Sequence, residues 1–141
     1  MKILVINGPN LNLLGIREPG IYGNSTLADL EAMLRSYALS RGVEIEFFQS
    51  NHEGAIVDTI QEARLKFDGI IINPAAYTHT SIAIPDAIKA VGLPAVEVHI
   101  SDISTREEYR RHSYTSEACI ATVAGKHFAG YIEALDILLS K

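Results

Sequence analysis

His99 and Glu97 are the residues of this 141-residue chain whose types and spacing point most directly to chemistry. They lie two apart in an otherwise apolar run, so in an extended strand they share a face while Val96, Val98 and Ile100 take the other. A carboxylate beside an imidazole fixes its tautomer and supports its positive charge, which is what a proton donor near neutral pH requires. A lone buried histidine is more often only a hydrogen-bonded core residue, but here Ser101 follows at once. A second polar stretch, Asn73-Pro-Ala-Ala-Tyr77-Thr78-His79-Thr80-Ser81, also follows an apolar run. A third, Asn7-Gly-Pro-Asn10, opens a long glycine- and proline-rich loop to Gly23 that carries Arg17 and Tyr22. A free tyrosine, with a pKa of about 10, is a poor base at neutral pH. A guanidinium beside it favours the phenolate and brings it towards use. Spacing alone would equally allow a tyrosine packed beneath a loop and an arginine in solvent.

For these clusters to act together, the elements before them must end side by side. The runs at 3–6, 69–72 and 95–100 are short and rich in β-branched residues, as buried parallel strands are, and 43–48 resembles a strand nearer a sheet edge. Between them lie helix-spaced apolar stripes. Thr26 to Arg41 has Ser25 or Thr26 as N-cap and Gly42 as terminator; Glu53 to Lys66 has Asn51 as N-cap. Ile84 to Val91 carries Pro85 in its first turn, and His127 to Leu139 closes the pattern. Residues 120–124 are ambiguous between a fifth strand and helix. Alternating strands and helices imply right-handed βαβ units and an α/β fold, a small flavodoxin-like, doubly wound parallel sheet with helices on both faces, in a single domain over 1–141. In such sheets the ligand crevice lies at the carboxyl ends of the strands, where all three polar clusters fall.

Composition narrows the function. An apolar share of 48% and a charged share of 21% are ordinary for a globular protein. The net charge of −5 gives no basic footprint for nucleic acid. No run has the length of a membrane span, and the apolar residues before Asn7 are too few for a signal sequence, so a cytoplasmic location is expected. Cys119 is alone, which suits a reducing compartment. There is no metal-ligand spacing, GxGxxG, phosphate-cradling GxxxxGK or nucleophile elbow, so neither metal nor cofactor is expected. The run Arg106-Glu-Glu-Tyr-Arg110-Arg111-His112 reads as a solvated, charge-laced helix face, and His79 and Asp86 as residues that cap or complement the dipole of the helix after them. A flavin- or nucleotide-binding module is the main rival, but Pro9 removes a backbone donor from the loop that would hold a phosphate. A signalling receiver domain would want an acidic pocket where Asn7 stands.

Taken together, INGPNLNLLGIREPGIYG (6–23), QSNHEG (49–54), IIINPAAYTHTSIAI (70–84) and VEVHISDISTREEYRRHSY (96–114) resemble the type II 3-dehydroquinate dehydratases of the shikimate pathway. The resemblance implies anti elimination of water from 3-dehydroquinate through an enolate, on a flavodoxin-like fold. By the same resemblance Tyr22 is the base, Arg17 activates it, His99 is the general acid with Glu97 as its partner, and Asn10 holds a water on the enolate oxygen. Asn73, His79, Ile100, Ser101 and Arg110 match substrate-binding positions. Asp86 matches an aspartate supplied by a neighbouring subunit, in trimers packed as dodecamers. Ala75, Ala121 and His127 stand where glycine is expected.

Overall fold

The structure, a computed structural model, describes residues 1–16 and 24–141. Five parallel strands form one sheet in the order β2-β1-β3-β4-β5, the doubly wound flavodoxin-like arrangement. They are β1 (Lys2–Asn7), β2 (Glu44–Gln49), β3 (Gly69–Asn73), β4 (Ala95–His99) and β5 (Ala121–Ala124). The ambiguous segment at 120–124 is therefore a strand. β2 lies at an edge, as its polar alternation implies.

Among the described residues four α-helices cover the sheet: α1 (Leu27–Ser40), α2 (Glu53–Ala63), α3 (Ala83–Val91) and α4 (Ala129–Leu139). Strand alternation splits the interior into two cores. Ile3, Val5, Ile71, Val96 and Val98 face Leu30 and Leu34 of α1 and Leu135 and Leu138 of α4. Leu4, Ile6, Ile70, Ile72 and Ala95 face Ile56 and Ile60 of α2 and Ile84 and Ile88 of α3. Fully burying each of the Val, Leu and Ile side chains contributes about 1.5–3 kcal/mol. No described helix is long and apolar enough to cross a membrane.

The signals around α1 behave as their chemistry requires, and that before α2 does not. Thr26 caps α1 in a reciprocal box with Asp29, each side chain bonding the other's backbone N–H. Gly42 follows its end at φ 69°. Asn51, expected to cap α2, does not. His52 occupies that position without a side-chain bond, and the Asn51 side chain turns to the loop after β1 instead.

Register aligns the polar ends of the strands. Asn7 is level with Gln49 on one side and Asn73 on the other, and Ile72 is level with Glu97. The chain leaves β1 through Gly8, whose N–H donates to the Asn73 carbonyl at 2.8 Å. A Cβ at Gly8 would sit 2.5 Å from the Pro74 carbonyl oxygen, so glycine is required for this close approach. Gly8→Ala is expected to cost about 1–3 kcal/mol of stability, as overpacking against backbone does. A chemical-denaturation midpoint equal to that of the native chain would contradict the close packing of the two loops.

Candidate active site

The carboxyl ends of β1, β3 and β4 enclose a cleft lined by Asn10, Asn73, His79, His99, Ile100, Ser101, Arg106 and Arg110, with Pro9, Leu11, Ala75, Ala76 and Ile103 as its apolar part. Eight of the eleven expected site residues are accounted for here, seven on its surface and Glu97 directly behind His99. Asp86 is exposed on the first turn of α3 and does not line this chain's cleft. Tyr22 and Arg17 lie outside the described residues.

Glu97 is fully buried, and His99 is only 5% exposed. An unpaired carboxylate in that position would be very unfavourable. Its Oε2 accepts bonds from His99 Nε2, from Thr78 Oγ1 at 2.7 Å and from Ser113 Oγ at 2.6 Å. Its Oε1 accepts from Thr122 Oγ1 at 3.2 Å, from the adjacent strand. Burial opposes ionisation, but the bond and charge of His99 and the hydroxyl donors outweigh it and hold the carboxyl below its ordinary range. The anion thus anchors Nε2 and leaves Nδ1 as the imidazole nitrogen without a partner among the described residues, on a ring that lines the cleft.

His79 is oriented by backbone. Its Nδ1 donates to the His112 carbonyl at 2.7 Å, so Nε2 of the neutral ring is an acceptor. Burial lowers its pKa, the bond to His112 opposes that, and the charges of His99 and Arg110 lower it further. It does not cap α3; Ile82 holds the cap position without a side-chain bond, and Ser81 Oγ just before it accepts from the Ile84 N–H at 3.0 Å. The 106–112 run is likewise not a solvated helix face. It holds one short 3-10 turn, Glu108–Arg110, with a second, Ile103–Thr105, just before it, and it brings Arg106 and Arg110 to the cleft. Tyr114 N–H donates to the Thr78 carbonyl at 2.8 Å, which fastens this segment to the 3-10 turn Ala75–His79. Two guanidiniums and two imidazoles make a cleft suited to an anionic, hydroxylated ligand.

The loop after β1 is equally fixed. Asn10 takes the left-handed conformation, φ 69°, which asparagine tolerates, and its N–H donates to Asn51 Oδ1 at 3.0 Å. Gln49 Nε2 donates to the Gly8 carbonyl at 3.1 Å and to Asn51 Oδ1 at 3.2 Å, while Tyr77 OH donates to the Asn51 carbonyl at 2.8 Å. Leu11 and Leu14 enter the core, whereas Leu13 and Ile16 are exposed. Among the described residues no group of His, Cys, Asp and Glu has the arrangement of a metal site. Burial pushes the Cys119 thiol up to about 12, with the charge of Glu97 adding to it, which disfavours the thiolate.

Sequence reasoning missed Arg106, Thr122, Ser113 and Asn51 as parts of this site. Thr78, Arg106, Ser113 and Asn51 sat inside stretches the sequence singled out, but without this role; Thr122 lay in none.

The model of the family described as dehydroquinase class II matches residues 1–139. The chain belongs to the class II dehydroquinase family. A 3-dehydroquinate dehydratase of Endomicrobium trichonymphae is 57% identical over 139 residues, 99% of this chain and 97% of that one. A catabolic 3-dehydroquinase of Verticillium alfalfae is 57% identical over 135 residues, 96% of this chain and 90% of its own length. The crystal structure of a type II dehydroquinase from Butyrivibrio crossotus superposes with a TM-score of 0.97 at 53% identity, covering 99% of this chain and 97% of that one. Within this class II dehydroquinase chain, two of the three positions expected to be glycine, Ala75 and His127, take positive φ of 53° and 50°, whereas Ala121 is ordinary strand. The backbone has kept the turn that glycine favours and holds residues with a Cβ in it.

The buried anion gives stability a defined pH dependence. Glu97 has a folded-state pKa below its ordinary 4.5, so its contribution is complete above that value and is lost as pH falls through the folded-state value. Glu97→Gln should lower the unfolding free energy by about 1–3 kcal/mol at pH 7, the range for hydrogen bonds to a charged group. The gap from the native chain should then narrow on acidification below pH 4.5. A gap constant from pH 7 to pH 3 would show that the carboxyl is not ionised in the folded protein.

Proposed function

We propose that this chain is a cytoplasmic hydro-lyase of the shikimate pathway, a single catalytic domain over 1–141 that dehydrates 3-dehydroquinate to 3-dehydroshikimate by anti elimination. The observation that carries the reading is the Glu97–His99 pair set into a cleft whose other polar groups, Asn73, His79, Ser101 and Arg110, suit a small hydroxylated carboxylate. The family's function supports it, and both names borne by the relatives concern 3-dehydroquinate.

In this reaction Tyr22, as its phenolate, takes the proton from the carbon beside the ketone. Arg17 keeps that phenolate accessible near neutral pH. The C–H electron pair moves into an enolate, whose oxygen is met by a water held by Asn10. The enolate then collapses, the neighbouring C–O bond breaks, and the departing hydroxyl takes a proton from His99 and leaves as water. The double bond formed is conjugated with the ketone. Glu97 stabilises the imidazolium before transfer and keeps Nε2 tied, so that Nδ1 is the nitrogen that gives the proton. Arg110 pairs with the substrate carboxylate, and His79, Asn73, Ser101 and the backbone at Ile100 take its hydroxyls. Neither a metal nor an imine has a part in this scheme; no lysine lines the described cleft, and the base and acid come from separate segments. The cleft is completed by Asp86 of a neighbouring copy, in trimers assembled into a dodecamer. Its exposure on α3, away from its own chain's cleft, supports that role.

Turnover is read directly as ultraviolet absorbance of the enone formed from 3-dehydroquinate; no absorbance change would overturn the reading. Tyr22→Phe should lower kcat by about 10²–10⁴-fold, as loss of a positioned base does, and should abolish exchange of the substrate's acidic hydrogen with solvent deuterium. His99→Ala should also lose turnover but retain exchange, because its step follows proton removal. Exchange at the native rate in Tyr22→Phe would place the base elsewhere.

Assembly has its own test. Asp86→Ala should raise KM, and conditions that separate the subunits should abolish turnover. Sedimentation combined with assay decides the point, and a fully active monomer would contradict it.

A further inference from the structure

The floor of the cleft rests on a polar chain that joins Asn73 to two residues, Tyr131 and Asn7, with no part in the reaction above. Tyr131 of α4 is fully buried, with 0% exposure, yet its hydroxyl reaches the ends of two strands along the sheet face that α4 covers. It donates to Asn7 Oδ1 at 2.6 Å and accepts from Asn73 Nδ2 at 3.0 Å. Asn73 is held from its other side as well, because its Oδ1 accepts from the Ala75 N–H at 3.1 Å. The direction of this chain is determined by that last bond. A backbone N–H is only a donor, so Oδ1 must face Ala75 and Nδ2 must face Tyr131. The phenol accepts there and has its single proton left for Asn7. Reversing the Asn73 amide would set donor against donor at Ala75. One Nδ2 hydrogen is spent on Tyr131, and the second is the only donor the amide has left for the cleft that Asn73 lines.

We infer that Tyr131 is a positioning residue for substrate recognition: its hydroxyl locks the Asn73 amide so that it presents an N–H, and not its oxygen, to a substrate oxygen. The inference rests on the dehydratase reading only for the identity of that substrate. Burial raises the phenol's pKa above its ordinary value, which keeps the hydroxyl protonated and the chain polarised. Ala75 belongs to the same device, since its positive φ of 53° accompanies the turn whose N–H faces Oδ1.

The test is a double-mutant cycle on the full chain, read as KM and kcat with 3-dehydroquinate. Tyr131→Phe keeps the ring in the core and removes the bond; KM should rise about three- to tenfold, the worth of one net hydrogen bond, with kcat changed less than about twofold. In an Asn73→Ala background the same substitution should change KM by less than about twofold, since there is no amide left to orient. Equal KM effects in both backgrounds would show a merely structural tyrosine and overturn the inference, as would no effect in either. Should Tyr131→Phe fail to fold, Asn7→Ala decides. It frees the phenol to turn its proton toward Asn73, and should likewise raise KM only when Asn73 is present. An inactive native chain would instead defeat the dehydratase reading, so the two failures are distinct.

Discussion

A carboxylate at the centre of a sheet can exist as an anion only if donors surround it, and Glu97 has them from four directions. His99 comes from its own strand, Thr122 from the next one, Thr78 from the turn after β3, and Ser113 from the segment after the arginines. Each of these segments also carries or adjoins a cleft residue. Satisfying the buried charge and assembling the site are therefore one requirement. His79 lies one residue beyond Thr78, and Arg110 three before Ser113, so the groups that would grip a substrate are located by the bonds that keep Glu97 charged.

The doubly wound topology makes this economical. Parallel strands place all their carboxyl ends on one side, and the order β2-β1-β3-β4-β5 puts the turns after β1, β3 and β4 next to each other. The reversal of winding lies between β1 and β3, where Asn7 and Asn73 are level. The two asparagines share the Tyr131 hydroxyl from below, so the central crevice has a fixed polar floor as well as a charged wall.

Much of this was legible in the chain because it follows from periodicity. The two-residue spacing of Glu97 and His99 places them on one face with any strand geometry, and the three polar clusters converge once the strands are parallel. Apolar stripes located all four helices to within a few residues. What escaped depends on pairs remote in sequence. Thr122 could be assigned to Glu97 only after β5 was known to be a strand in register with β4. Asn51 offered a plausible helix cap, yet tertiary demand from the Asn10 N–H and Gln49 won its side chain. The 106–112 run has the composition of a solvated helix, but anchoring through Ser113 and Tyr114 folds it into short turns over the cleft. Ala75 and His127 were recognisable as departures from glycine; that their backbone nevertheless keeps positive φ was not.

The account stands on Glu97 acting as a buried anion that readies His99. The most direct measurement is kcat for Glu97→Gln with 3-dehydroquinate near neutral pH, where the amide preserves shape and removes charge. The account predicts a fall of about 10²–10⁴-fold in kcat, larger than any rise in KM, because proton donation loses its electrostatic support while the amide oxygen keeps part of the hydroxyl bonding that locates the binding groups. A variant that turns over at close to the native rate would contradict it.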